Sequence, residues 1–247
     1  MFKDLLMNSR GCRKTIEINL SEVVKEAKSI DAQYSKLLST KEVAVPHSIP
    51  PKGFVFHESR CGSTLVANSL AAVNPDKNRV YSESAPLITA MKIVSNDINN
   101  PKSAKSEEDA KQFVKDVVYI MGRTHDPEEE NLFFKIQSIG TTYIRSLRAS
   151  FPDVPWIFIY RDPVQVMMSH MPKPTEHAVC LRSRAVTPPG LNDYVRSIDN
   201  RSFQSLTTYE SCAAHLVSHI VTRFCLSSLP LFLSFFSFFL TNKCQML

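Results

Sequence analysis

Two hydrophobic periods alternate along this chain. Short, nearly continuous apolar runs occur at Phe54-Val55-Phe56, Leu132 to Ile136 and Trp156-Ile157-Phe158-Ile159. Runs of this length, closed by polar or turn residues, predict strands buried on both faces. A shorter strand is expected from Arg79 to Ser82. Between the strands, apolar positions recur at helical spacing. Ser21 to about Leu38 is polar, with Val23, Val24, Ala27 and Ile30 on one side. Leu65, Val66, Ser69, Leu70 and Val73 make a second helical face, which Asn74-Pro75 ends. Ser106 reads as a helix cap, because Glu107, Glu108 and Asp109 then fill a first turn where negative charge is favoured. Ala110, Phe113, Val114, Val117, Val118 and Met121 are that helix's stripe, and Gly122 stops it. Thr141 to Ala149 reads as a further helix, and Phe151-Pro152-Asp153 turns the chain into the strand at Trp156.

Apolar strands separated by helices predict an α/β fold in three layers, a central parallel sheet flanked by helices. Ligands on such sheets bind at the carboxyl ends of the strands. The pattern divides the chain into a helical lead-in over residues 1–50, an α/β domain over 51–217 and an atypical tail over 218–247. Pro46 to Lys52 delivers the first strand. From Phe224 to Leu240 there is no charge, and Phe and Leu dominate. That stretch is short for a membrane span and is interrupted by Pro230 and four serines. It reads first as a sequence foreign to the domain; a membrane-contacting anchor and a buried or sticky terminal segment are the competing readings.

Composition narrows the picture moderately. A chain of 247 residues with 43% apolar content can bury one sizeable core. A formal charge of +5 suits an anionic ligand, and without a Lys/Arg run carrying interleaved aromatics it does not argue for nucleic acid. The six cysteines are scattered, with no C-x-x-C and no histidine spacing that builds a zinc site, so no metal is expected. Reduced thiols are expected in a chain of this length without a secretory signal. The first residues lack a continuous apolar segment, which favours a cytoplasmic location; membrane association through residues 224–240 stays open.

Two stretches carry the chemistry. Phe54 to Leu65 (FVFHESRCGSTL) reads as strand, tight loop and helix start, and Trp156 to Ser169 repeats that order around Arg161-Asp162-Pro163. A loop of small residues that feeds a helix N-terminus offers backbone N–H groups to an anion. Two such units, each with an arginine where strand meets loop, suggest a ligand with two anionic groups. Gly62 lets the backbone approach closely, and Ser63 and Thr64 add donors, although both are also ordinary cap residues. Asp162 fits an N-cap ahead of Pro163 at the first helical position, so it is read as structural.

This pair of segments resembles the sulfotransferases that use 3′-phosphoadenosine 5′-phosphosulfate (PAPS). Arg60-Cys61-Gly62-Ser63-Thr64-Leu65 is similar to their 5′-phosphosulfate loop, with Cys61 where serine is more usual. Arg161 and Ser169, eight positions apart, are similar to the family's 3′-phosphate segment. The resemblance spans roughly Gly53 to Met171 and implies a P-loop-like fold, PAPS as donor, and a small-molecule, lipid or glycan acceptor. It also implies that Arg60 neutralises charge on the leaving group. A general base is needed as well: Glu83 resembles the catalytic glutamate that some members carry after the equivalent strand, with a helix-start carboxylate ahead of Pro86 as its competing reading and His57 and Glu58 as second choices. Lys135 and Gln137 are expected to line the same crevice, and Ser138 is read as a helix cap. Arg182 and Arg184 are candidates for completing the 3′-phosphate site, or solvated surface residues. A G-x-x-x-x-G-K-[ST] loop is absent, which sets a kinase or NTPase behind sulfuryl transfer. A non-catalytic nucleotide-binding relative is the alternative of a different class.

Overall fold

The computed structural model describes residues 17–40, 44–98, 106–170, 180 and 191–224. Helix α1 (Leu20–Thr40) leads into a two-residue strand β1 (His47–Ser48), then β2 (Pro51–His57) and α2 (Ser63–Val73). Strand β3 (Asn78–Ser82), α3 (Ala85–Ile98), α4 (Glu107–Met121), β4 (Arg123–Thr124) and β5 (Asn131–Lys135) follow. A 3-10 segment (Ser138–Tyr143), α5 (Ile144–Ser150), β6 (Trp156–Ile159) and α6 (Pro163–His170) come next. The described elements end with α7 (Leu191–Asp199), a short 3-10 turn and α8 (Thr208–Phe224).

Four strands form one all-parallel sheet in the order β3-β5-β2-β6. The small strands β1 and β4 pair antiparallel apart from it. One face of the sheet carries Phe54, Phe56, Leu132 and Phe134, which pack against Leu87, Met91 and Val94 of α3 and Val114 and Val118 of α4. This is the main core, and the alternation of side chains along a strand sets it. The positions between them, including Val55, His57 and Lys135, fall on the opposite face, which α2 covers over β3, β5 and β2. Helices thus flank both faces of a parallel sheet.

Local physics accounts for the helix ends. Asp109 N–H donates to Ser106 Oγ at 3.1 Å and Ser106 N–H donates to Asp109 Oδ2 at 3.3 Å, a reciprocal capping box at the start of α4. Gly122 closes α4 in an ordinary right-handed conformation. A Cβ there would lie 2.5 Å from the Ile49 carbonyl oxygen, so the glycine admits the backbone beside β1. Asp31 of α1 bonds both Tyr119 and Arg123, tying the lead-in helix to α4.

Several expectations need correction. Between Ser82 and Ser106 the only expectation was a helix start at Glu83 ahead of Pro86, and α3 fills most of that interval. The buried side of α2 is Ser63 and Ala67, with Leu65 and Val73 exposed; the helix is rotated so that its smallest side chains meet the sheet. The 3-10 segment replaces the first turn of the expected 141–149 helix, and its cap position falls on Gln137, with Ser138 the first residue inside the segment. Cys180 and Cys212 form a disulfide, against the expectation of reduced thiols. Helix α8 runs unbroken across the expected boundary at residues 217–218. The rest of the expected tail, together with Arg182 and Arg184, lies outside the described residues. No described helix is long and apolar enough to cross a membrane.

Candidate functional site

The carboxyl ends of β2, β3, β5 and β6 face the same edge of the sheet, and a cleft of about 450 Å³ opens there. The chain turns sharply at each strand end. After β2, Glu58 N–H donates to the Ile159 carbonyl at 3.0 Å, holding the start of the loop against β6. Arg60 then takes φ +62° and Gly62 φ +92°, and α2 begins at Ser63. After β3, Glu83 takes φ +57° while its N–H donates to the Lys135 carbonyl at 2.8 Å. Arg60, Glu83 and Asn200 are the only described non-glycine residues with positive φ. Two of the three line the cleft, and backbone strain of this kind gathers where a site over-determines its residues.

One end of the cleft is built from the two arginine-bearing loops. Arg60, Gly62, Ser63 and Thr64 line it from the first, and Arg161 and Ser169 from the second. Arg60 Nε donates to Ser169 Oγ at 2.8 Å, so the loops meet directly. Arg161 is exposed just past β6 and donates from Nε to Gln165 Oε1 at 2.8 Å, one turn along α6. It therefore does not start from a buried strand end. Asp162 caps α6, accepting the Gln165 N–H on Oδ1 at 3.0 Å, the structural part read for it from sequence. Around Gly62 there is open space where a Cβ would sit, so the glycine answers to its left-handed backbone. An anion at the N-terminus of α2 would meet first-turn N–H groups that have no carbonyl four residues back.

The other end contains the titratable groups. The Lys135 ammonium is bonded to Glu83 Oε1, and its side chain is only 2% exposed against 40% for Glu83. His57 is buried on the same face, with Nε2 3.6 Å from Glu83 Oε1 and Nδ1 2.8 Å from the Glu58 carbonyl oxygen. Burial holds the His57 pKa below the usual imidazole range; Lys135 adds to this, while the Glu58 carbonyl and Glu83 oppose it. The ring is therefore held neutral, with a buried Nε2 that has no hydrogen-bond partner among the described residues. Gln137 and Ser138 complete this end.

The residues singled out in the sequence are mostly gathered here, and three are not. Glu58 is buried outside the cleft. Cys61 is half-buried within the loop without lining the cleft, and burial pushes its thiol pKa up, away from the reactive thiolate. Leu65 points outward at 72% exposure. Two lining residues were missed as site members. Ser138 had been assigned to a helix cap, and Ser59 lies two residues beyond β2, where the turn into the loop carried the only available signal.

His170 of α6, next to Ser169 in the chain, and His215 of α8, which packs on α6, are both buried. Burial lowers the pKa of each; Arg60 adds to the effect at His170, and at His215 burial, with a smaller contribution from His170, takes the pKa down to about 4. Comparison with protein-family models, curated proteins and solved structures finds no match to this chain.

Proposed function

We propose that the chain is a sulfotransferase of P-loop-like fold that moves a sulfuryl group from PAPS to a hydroxyl or amine acceptor. The observation that carries this reading is the Arg60–Ser169 contact: it brings two anion-suited loops, distant in sequence, to one cleft at the strand ends. A ligand with two anionic groups on one small scaffold matches that arrangement. In the proposed assignment Gly62, Ser63 and Thr64 cradle the phosphosulfate, and Arg161 with Ser169 holds the 3′-phosphate. PAPS supplies a sulfuryl group on a phosphate leaving group. Arg60, which bonds Ser169 across the two loops, would offset charge gathering on the leaving side.

The acceptor needs a base. Lys135 and His57 both approach Glu83 Oε1, so Oε2 is the oxygen available to take the acceptor's proton. Lys135 and the backbone bond from Glu83 to Lys135 hold that carboxylate in place. His57, neutral and next to the same carboxylate, is the second candidate for receiving the proton.

Calorimetric titration with 3′,5′-ADP and 5′-AMP tests the reading. A charge-assisted contact to the extra phosphate is worth about 1.5–3 kcal/mol, so 3′,5′-ADP should bind about tenfold tighter or better. Equal affinity for the two nucleotides, or transfer that strictly requires Mg²⁺, overturns it.

A further inference from the structure

Three described arginines outside the cleft are held by carboxylates: Arg79 by Glu129, Arg123 by Asp31 and Arg201 by Glu210. The two that line the cleft are held differently. Arg60 donates from Nε to the Ser169 hydroxyl, and Arg161 donates from Nε to the Gln165 side-chain carbonyl, each at 2.8 Å. Among the described residues, neither has a carboxylate partner. Both acceptors are neutral, and both belong to α6. Gln165 and Ser169 are four positions apart, so they lie on one face of that helix. Val166, buried with Cys212 and Leu216 of α8, anchors the helix that carries them.

The acid nearest to Arg161 in sequence is Asp162, and the Gln165 N–H donates to its Oδ1 at 3.0 Å. Gln165 therefore engages both neighbours: its backbone holds the carboxylate at the helix start, and its side chain holds the guanidinium. An acceptor on Nε fixes the direction of the guanidinium and leaves both Nη groups, with their four N–H donors, for a ligand. A carboxylate in the same place would fix it too, but an incoming anion would then compete with a charge-assisted bond. A neutral acceptor orients the arginine without that competition.

We infer that Gln165 is a positioning residue of the two-anion site, aiming Arg161 at the second anion while leaving its charge free, as Ser169 does for Arg60 from the same face of α6. This rests on the sulfuryl-transfer reading, which makes the second anion a 3′-phosphate. Gln165 is not among the residues that line the cleft, so it acts through Arg161 and not by touching the nucleotide.

The test titrates the full chain, Gln165→Met and Gln165→Glu with 3′,5′-ADP and with 5′-AMP, and follows urea unfolding alongside. Both substitutions keep the backbone N–H that bonds Asp162 and suit a helix about as well as glutamine, so the unfolding midpoint should stay in place. Met removes the acceptor at nearly the same side-chain length. The preference for 3′,5′-ADP over 5′-AMP should then fall about threefold, the low end for one exposed hydrogen bond. Glu keeps an acceptor but adds charge, and the preference should fall about tenfold because phosphate must compete with a charge-assisted bond. An undiminished preference in Gln165→Met overturns the positioning role. An undiminished preference in Gln165→Glu overturns the part given to the neutral acceptor. Equal losses for both nucleotides would assign Gln165 to the general build of α6 and overturn the inference as well. If the unaltered chain itself binds the two nucleotides equally, the sulfuryl-transfer reading falls, and this inference with it.

Discussion

Arg60 Nε and Ser169 Oγ stand 2.8 Å apart although 109 positions separate them in the chain. The bond joins the loop after β2 to the helix after β6, whose strands are neighbours in the sheet. A parallel pair puts both carboxyl ends on one edge, so two separately unremarkable strand-to-helix turns become a single surface. A serine hydroxyl that accepts from Arg60 keeps its own hydrogen to donate. Ser169 can thus orient the guanidinium and still contact an anion.

Under that arrangement Arg60→Ala and Ser169→Ala should be non-additive in 3′,5′-ADP affinity. Each single change removes a contact to the nucleotide and also loosens the other. A coupling of about 0.5 kcal/mol or more in the double-mutant cycle is expected. Both residues sit near solvent, so stability should move by less than about 0.5 kcal/mol. Strictly additive affinities would show that the bond does not organise the nucleotide site.

How much of this was legible in the sequence depended on the kind of signal. Strands β2 and β5 were legible because buried parallel strands write themselves as unbroken apolar runs, as at Phe54-Val55-Phe56; β6 carries such a run although it is an edge strand with Ile157 half exposed. The capped helix from Ser106 was legible because capping chemistry is local. The α3 helix was legible only as a start at Glu83 ahead of Pro86, although Leu87, Ala90, Met91 and Val94 carry its spacing. The rotation of α2 could not be read, since Ser63 and Ala67 face the sheet through close approach and not through hydrophobicity. For the site, the order of motifs located most of the cleft. What sequence could not supply was the pairing of Lys135 with Glu83, 52 positions apart, which depends on β3 and β5 being neighbours.

That pairing changes what a Glu83 variant should do. Glu83→Gln is expected to cut turnover about 10²–10⁴-fold, the usual contribution of a positioned base, with 3′,5′-ADP affinity nearly intact. It also leaves the buried Lys135 ammonium without its carboxylate, so a stability loss of about 1–3 kcal/mol should accompany it. Because Glu83 is 40% exposed, the loss belongs at the lower end. Lys135→Met paired with Glu83→Gln should recover much of the stability and none of the activity. Full turnover in Glu83→Gln would move the proton to His57.

The Cys180–Cys212 disulfide ties α8 to a point between α6 and α7, within a small core of Val166 and Leu216. Cross-linking positions 32 apart restricts the unfolded chain by about 2–4 kcal/mol. Adding a dithiol reductant, or making Cys212→Ser, should lower stability by that order in urea unfolding. Ser169 lies on α6, whose Val166 is part of this core, so 3′,5′-ADP affinity should fall as well. An unfolding midpoint that ignores the reductant would mean that the bridge does not form in solution.

Acid should weaken this fold through its buried histidines. His57, His170 and His215 all have pKa values below 6.5 in the folded chain, chiefly because burial penalises the imidazolium. The facing charges are Lys135 and Glu83 at His57, Arg60 at His170, and His170 itself at His215. As the pH falls through about 6.5 the unfolded chain binds protons that the folded chain does not, and stability declines. For His215 the decline continues to about pH 4, where the folded ring also protonates. A difference of this size corresponds to about 3 kcal/mol at its full extent. Above pH 7 all three rings are neutral in both states and their contribution is constant. Urea midpoints measured from pH 7.5 to 4.5 should therefore fall steadily below about 6.5, and His215→Leu should flatten that slope whatever it does to the midpoint at pH 7.5. An unchanged slope in the variant would mean that His215 is reached by water in the folded protein, and the packing of α8 on α6 would then be looser than described.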